Sequence, residues 1–226
     1  MHTKDDFVLQ SEAAMAKHSG LHLSFENEIP VLSGEIILFD HAGTLIDQYQ
    51  VEIWLPKAAD RFPEVFETGG RIPKNVDWHV YETTGNCCIK APVEERIICS
   101  GGITLLQFID EQLTPYLFNQ TFRRMNGYFL HERKHGQAGI IDTYLDLFKT
   151  DDPNKMFGLL MFVISNPQPG RTADCFCGNG IKYRKCHRDI FRALKMVDPD
   201  LLLNDLKLMH DYYKIKLLAR MMSMAP

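Results

Sequence analysis

Three cysteines and one histidine lie close together between Cys175 and His187, in the last quarter of the chain. Thiolate sulfur and imidazole nitrogen are atoms with which proteins hold Zn²⁺ at the corners of a tetrahedron. Cys175 and Cys177 stand at the start of a glycine-containing turn, and Cys186 and His187 complete a Cys₃His set. Because four protein ligands leave the ion no open position, we predict a structural zinc site. A Cys175–Cys177 disulfide and unrelated core cysteines are the alternatives.

A second candidate site surrounds Cys88, three residues after Gly85. A catalytic thiol needs exposure and a lowered pKa, which a loop provides more readily than an apolar strand. Gly85 allows a turn just before the thiol, and His79 is placed to orient the loop or to favour the thiolate. By residue type alone, a Cys87–Cys88 pair is more often a packing feature than a catalytic one. Cys99 is a rival nucleophile.

The elements that must position these residues predict an α+β fold. The hydrophobic pattern fits a helix over 6–18, strands over 21–25, 34–39, 44–55 and 64–67, and helices over 103–125, 138–148, 153–164, 189–196 and 200–221. Between residues 68 and 102, glycines and prolines interrupt every pattern, which is typical of a long functional loop. We predict a four-stranded antiparallel meander with flanking helices over 1–150, and a helical extension that carries the zinc knuckle over 151–226.

The order of these elements resembles that of ubiquitin-conjugating enzymes, in which a helix, a four-stranded meander and a proline-containing flap precede a histidine and then Gly-x-x-Cys. Residues 49–53 look like the third strand of that family, and residues 62–65 look like its Pro-Pro-x-Val strand. His79 falls where the family's His-Pro-Asn begins. Residues 85–89 resemble its Gly-x-x-Cys-Leu, which places Cys88 at the catalytic position.

The resemblance covers about residues 5–150 and is closest to the bacterial branch encoded beside cGAS-like nucleotidyltransferases in CBASS antiphage operons. Residues 69–73 and 134–140 look like features of that branch, and residues 175–187 closely resemble the SEC-C motif, the metal-binding tail of the SecA preprotein translocase. The resemblance implies a thioester between Cys88 and the C-terminus of a partner. That partner is either the tail of a cGAS-like nucleotidyltransferase or a ubiquitin-like protein, and the role implied is antiphage defence.

The chain departs from the family after His79, where Val80-Tyr81 stands in place of Pro-Asn. That asparagine is thought to stabilise the oxyanion when a lysine attacks the thioester, and one such donor is worth roughly 3 kcal/mol of barrier. We therefore expect Tyr81, Asn86 or Asn75 to supply a substitute donor. Otherwise aminolysis is slower and the thioester persists.

His135 is a further candidate, either as a group near the thiol or as a histidine that holds backbone carbonyls at the start of a helix. Two other functions stay open. One is a catalytically silent binding module that regulates the partner nucleotidyltransferase. The other is a cysteine hydrolase that cleaves the partner's C-terminus, with His79 or His135 within hydrogen-bond reach of Cys88.

Composition and charge limit which cellular compartment and which classes of partner we expect. The chain has 226 residues and a net charge of −4, which indicates no nucleic-acid or anionic-membrane partner. Its N-terminus is polar and acidic, unlike a signal peptide. The longest apolar run, Met156–Ile164, has nine residues, where a bilayer span needs about 20. The cysteines are clustered rather than spread, so we expect free or metal-bound thiols in the cytoplasm.

Overall fold

The computed structural model of the protein describes residues 3–223, with side chains described as far as residue 216. The chain divides into two compact units, Met1–Glu132 and Arg133–Pro226. This division comes earlier in the chain than the predicted boundary at residue 150, because helix Gly136–Phe148 packs against two helices of the second unit. The predicted α+β class is confirmed: the first unit is built on a β-sheet, and the second is mainly helical.

The first unit begins with a helix, continues through four consecutive strands and ends in three α-helical segments. These elements are α1 (Lys4–Lys17), β1 (Leu21–Glu26), β2 (Ile29–Phe39), β3 (Leu45–Trp54), β4 (Glu64–Glu67), α2 (Pro92–Ser100), α3 (Leu105–Phe108) and α4 (Thr114–Asn126). The strands form one antiparallel sheet in the order β1-β2-β3-β4, which confirms the predicted four-stranded meander. α1 packs against β1, β2 and α3, so the hydrophobic core lies between the sheet and these helices.

Strand β3 shows why this sequence forms a sheet with one covered face. Asp47, Tyr49 and Ile53 are buried, whereas the residues that alternate with them are more exposed, as the two-residue period of a strand requires. Burial of a large apolar side chain contributes roughly 1.5–3 kcal/mol. The buried charge of Asp47 is paired with Arg71, whose nitrogen lies 2.7 Å from its carboxylate, and with Arg124.

The prediction of an irregular chain from residue 68 to residue 102 was wrong over its last part, where α2 forms. Pro92 occupies the first turn of that helix, a position at which its missing N–H is not needed. The Glu94 carboxylate accepts a hydrogen bond from the Ala91 amide at 3.2 Å and so closes the N-terminus of the helix. These signals for the start of a helix are present in the sequence, but the glycines and prolines on either side led to the prediction of an irregular chain.

The helical segments α3 and α4 are joined without a break by a π-helical turn, Ile109–Leu113. In this turn the Thr114 amide bonds to the carbonyl of Ile109, five residues back rather than four. Pro115 follows and has no N–H to donate, yet the chain stays helical to Asn126. The turn therefore adds one residue to the helix just before the face that contacts the carbonyls of Trp78 and His79.

The second unit is a set of packed helices with a short irregular segment between the second and third. Its helices are α5 (Gly136–Phe148), α6 (Pro153–Ser165), α7 (Arg188–Lys195) and α8 (Pro199–Ser223). α5 packs against α6 and α8, and α6 also contacts α7. The buried Tyr144 hydroxyl donates to the Asp205 carboxylate at 2.9 Å and links α5 to α8. The irregular segment holds the Cys₃His residues.

Candidate thiol and metal sites

A short hairpin holds the candidate thiol. Val80 and Cys87 pair as an antiparallel bridge and close the loop formed by residues 81–86. The amide of Cys88, directly after the bridge, donates to the carbonyl of His79 at 2.7 Å. The backbone of Cys88 is therefore fixed by hydrogen bonds on a rigid base, although the segment has no long element of regular structure.

The two adjacent cysteines have different environments. The Cys87 amide donates to the carbonyl of Val65 in β4 at 2.7 Å, and its side chain is only 6% exposed. Burial raises the pKa of Cys87 to about 12, so this residue is a neutral packing thiol near pH 7. Cys88 is half-buried, and its Sγ lies 3.4 Å from the hydroxyl of Tyr81. Of the pair, Cys88 has the accessible sulfur.

The Cys88 thiol donates to the Tyr81 hydroxyl oxygen, and the hydroxyl becomes a donor to the sulfur when Cys88 is a thiolate. Partial burial raises the pKa of Tyr81 above its ordinary value, with smaller contributions from Cys88 and Glu95, so the hydroxyl stays protonated near pH 7. The other two candidates, Asn75 and Asn86, are held by contacts to their side-chain oxygens. The side-chain oxygen of Asn75 accepts from the Trp78 amide at 3.1 Å, and that of Asn86 accepts from a neighbouring threonine hydroxyl.

His79 positions the thiol through its main chain. It has a left-handed backbone (φ 52°) that ends the 3₁₀ turn Val76–Trp78, and this turns its carbonyl toward the Cys88 amide. The same carbonyl accepts from the Tyr116 hydroxyl at 3.0 Å. The imidazole ring packs on Phe129, with ring centroids 4.8 Å apart.

Two residues of α4 that support this loop escaped the sequence reasoning. Tyr116 bonds to the His79 carbonyl, and the Gln120 side-chain amide donates to the Trp78 carbonyl at 2.8 Å. Their spacing of four residues places both on one helix face, which is the only signal the sequence offers. Nothing in the sequence says that this face meets residues 78 and 79.

The remaining predicted residues of this site lie apart from the hairpin in the sequence. Cys99 is buried in α2, and burial raises its pKa to about 11, which makes it a poorer nucleophile than an accessible thiol. His135 lies in the second unit at the residue that precedes α5, where its carbonyl accepts from the Gly139 amide. It is thus a histidine at the start of a helix, and a role beside Cys88 stays a prediction.

The four predicted metal ligands do come together. The donor atoms of Cys175, Cys177, Cys186 and His187 all lie within 4.8 Å of one another. Nδ1 of His187 is 3.0 Å from Sγ of Cys186 and 3.3 Å from Sγ of Cys175, and the sulfurs of Cys177 and Cys186 are 3.6 Å apart. A tetrahedral Zn²⁺ site has S···S edges of about 3.8 Å and S···N edges of about 3.5 Å. The cluster can hold a metal ion, and its donor set is compatible with zinc.

Contacts around the cluster orient its ligands. Nε2 of His187 lies 3.0 Å from the carbonyl of Phe148, which only a protonated Nε2 can satisfy, so Nδ1 keeps its lone pair for a metal. The side-chain amide of Asn179 donates to Sγ of Cys186 at 3.3 Å. All six cysteines are free thiols, so the alternative Cys175–Cys177 disulfide does not form.

Comparisons with protein-family models, with characterised proteins and with solved structures found no match for this chain. The resemblances to ubiquitin-conjugating enzymes and to the SEC-C motif therefore rest on the sequence motifs themselves. Within residues 3–223, no helix is both long and apolar enough to cross a lipid bilayer.

Proposed function

We propose that the first unit is a cysteine-dependent acyl carrier of the ubiquitin-conjugating type, with Cys88 as its nucleophile. The observation that carries this proposal is the half-buried Cys88 sulfur 3.4 Å from the Tyr81 hydroxyl, on a hairpin fixed by backbone hydrogen bonds. A nucleophilic thiol needs both access and a group that stabilises its charge. Cys87 and Cys99 are buried with raised pKa values, which supports the choice of Cys88.

The reaction proposed has two steps. The Cys88 thiolate attacks the activated C-terminal carbonyl of a partner protein, the activating group leaves, and a thioester forms. An amine then attacks the same carbonyl carbon, the C–S bond breaks and the thiolate is released. The Tyr81 hydroxyl is the donor in both steps: it hydrogen-bonds the thiolate before attack and after release.

The partner and the biological role follow from the sequence resemblance. The carried protein is the C-terminal tail of a cGAS-like nucleotidyltransferase, or a ubiquitin-like protein, and its conjugation promotes antiphage defence in the cytoplasm. The fold that the resemblance implies over residues 1–150 is that of the ubiquitin-conjugating enzymes. The four-stranded antiparallel meander and the helices after it support that assignment.

The Cys₃His cluster is proposed to bind one structural Zn²⁺ in the manner of the SEC-C motif. Four protein donors close the coordination shell, so the ion would hold the segment between α6 and α7 in place and take no part in acyl transfer. The His187 contact with the Phe148 carbonyl supports this role, because it ties a ligand to the end of α5.

The decisive experiment co-expresses the protein with its candidate partner and looks for a covalent adduct on a non-reducing gel. We expect an adduct that thiol reductants release and that Cys88→Ala abolishes. Cys99→Ala is the matched control and should retain the adduct. Persistence of the adduct in Cys88→Ala would rule out the assignment.

The replacement of the family's Pro-Asn by Val80-Tyr81 favours a second candidate, a silent binding module that recognises the partner's tail without turnover. The two candidates differ in thiol chemistry. An acyl carrier requires Cys88 to react with iodoacetamide faster than free cysteine at neutral pH. If Cys88 reacts no faster than free cysteine while the chain still binds the partner, the silent module is the better description.

A further inference from the structure

A cavity of about 270 Å³ adjoins the thiol hairpin. On one side it is lined by residues of the hairpin, including Tyr81, and on the other by α2 and by residues 57–64, the last of which begins β4. Tyr81 belongs to both sites, because its side chain lines the cavity and its hydroxyl contacts the sulfur of Cys88. Of the two adjacent cysteines, Cys87 lines the cavity, and Cys88 is linked to it through the Tyr81 side chain.

Three ion pairs line the cavity. One joins Lys57 to Glu64, and each of the other two joins an α2 residue to a residue of the loop before β4. Nε of Arg61 lies 3.2 Å from the Glu95 carboxylate, and Nε of Arg96 lies 3.1 Å from the Asp60 carboxylate. The α2 side chains are only 15% and 14% exposed, whereas the loop partners Arg61 and Asp60 are 44% and 50% exposed. The charged groups of Glu95 and Arg96 are therefore held in place by burial, whereas a ligand can displace the exposed side chains of Arg61 and Asp60.

Glu95 is the most buried of the acidic residues that line the cavity. Burial raises its pKa to about 7, while Arg61, Arg96 and the Phe62 amide lower it and Asp60 raises it. The other titratable groups that face it are Tyr81 and Cys99. A carboxyl group that titrates near neutral pH in a cavity beside a nucleophile has the properties of a general acid–base.

We propose that this cavity is the binding site for the acceptor, a primary alkylammonium group such as a lysine side chain, and that Glu95 takes a proton from it. This inference rests on the proposed function of Cys88 as an acyl carrier. The incoming ammonium replaces the exposed Arg61 guanidinium as the partner of the Glu95 carboxylate. Because burial disfavours both charges, proton transfer within the pair gives two neutral groups, a free amine and a carboxylic acid.

The amine then attacks the carbonyl carbon of the Cys88 thioester. The C–N bond forms, the C–S bond breaks, and the second proton of the attacking nitrogen passes to the departing sulfur. The three protons of the ammonium group end on Glu95, on the Cys88 thiol and on the amide product. Tyr81 donates a hydrogen bond to the sulfur as it leaves and stays neutral throughout.

The test charges the full-length protein with a synthetic peptide thioester of mercaptoethanesulfonate, which needs no activating enzyme. The charged protein is isolated, an excess of free lysine is added, and intact mass spectrometry follows the peptide as thioester, lysyl amide or hydrolysed acid. Each variant is charged to completion before lysine is added, and we expect Glu95→Gln to discharge to lysine at least about tenfold more slowly than the wild type at pH 7. Glu94→Gln is the matched control, because Glu94 is the next residue on α2 and its carboxylate is directed to the Ala91 amide.

The pH dependence gives a readout that a purely structural role would not change. In the wild type, lysine discharge should rise through a midpoint near pH 7 and then level off. In Glu95→Gln it should rise steadily toward the pKa of free lysine, about 10.4. Arg61→Gln should move the wild-type midpoint to higher pH, because Arg61 lowers the pKa of Glu95. This second variant tests the idea independently of any folding defect in Glu95→Gln.

The outcomes separate this inference from the function on which it rests. If the wild type accepts no peptide on Cys88, the acyl-carrier proposal fails and this inference falls with it. If all variants charge normally but Glu95→Gln discharges at the wild-type rate with an unchanged pH profile, Glu95 has no such role while the carrier function stands.

Discussion

Replacement of Tyr81 by phenylalanine tests the thiol site with a very small change, because it removes one hydroxyl and leaves the ring. That hydroxyl lies 3.4 Å from the sulfur of Cys88 and remains protonated near pH 7, since partial burial raises the pKa of Tyr81. When Cys88 ionises, the Tyr81 O–H becomes a donor to a thiolate. This charge-assisted hydrogen bond exists only in the reactive form, so its loss should lower reactivity.

The size of the effect follows from the geometry. A hydrogen bond to a charged group is worth about 1.5–3 kcal/mol. Tyr81 is 41% exposed, so in the variant water replaces part of the lost interaction. We therefore take the lower end of the range, about 1.5 kcal/mol, which corresponds to a factor of roughly ten. Tyr81→Phe should slow alkylation of Cys88 at pH 7, and the formation of its thioester, by about that factor.

The assay is timed alkylation with iodoacetamide, followed by peptide fragmentation that distinguishes Cys88 from its neighbour Cys87. Tyr128→Phe removes a hydroxyl from a tyrosine of the same unit that is 59% exposed, and it serves as the control. Unchanged alkylation in Tyr81→Phe would refute the reasoning, because the hydroxyl would then have no influence on the thiolate.

Three further predictions concern stability and metal binding. Asp47→Asn should lower the free energy of unfolding in urea by about 3–5 kcal/mol, because two arginines face this buried carboxylate. Burial alone would raise the pKa of Asp47, but a threonine hydroxyl, a backbone amide and the arginines together lower it. The contribution of Asp47 to the free energy of unfolding should therefore be complete above about pH 4 and be lost at lower pH. A variant as stable as the wild type at pH 7 contradicts this prediction. The purified chain should contain one Zn²⁺ by plasma emission spectroscopy. Its affinity for zinc should fall as pH falls, because the thiols must lose protons to bind the ion. His187→Ala should reduce the zinc content sharply, and equal zinc content in variant and wild type would exclude this site. Tyr144→Phe should destabilise the second unit by about 1–3 kcal/mol, since it removes a donor from buried Asp205, and an unchanged thermal midpoint argues against it.

Local patterns in the sequence were sufficient to predict much of the fold. The alternation along Leu45–Trp54 identifies β3, because the covered face of a strand repeats every two residues. The Cys₃His cluster was also predictable, since its four residues lie within one short segment and the backbone need only reverse once to bring them together. Helix α2 was missed because it spans only Pro92–Ser100, too short for a helical period to stand out among glycines and prolines.

The thiol site depends on contacts that are distant in the sequence. The proximity of Tyr81 and Cys88 requires the Val80–Cys87 bridge, which no periodic pattern indicates. The pairing of Arg61 with Glu95 joins a loop to a helix, and the raised pKa of Glu95 arises from burial that only the folded chain defines. Sequence motifs thus identify reactive residue types, whereas the charges that tune them become visible only with the packing.

The π-helical turn Ile109–Leu113 sets which way the end of its helix faces. Each residue rotates an α-helix by about 100°, so one extra residue re-aims every side chain beyond it. Tyr116 and Gln120 meet the carbonyls of the thiol loop only with that added residue in place. Deletion of a single residue from the turn would swing both side chains away without touching the loop itself. The position of the Cys88 sulfur is thereby linked to the number of residues in a helix, a property that point substitutions near the sulfur would leave intact.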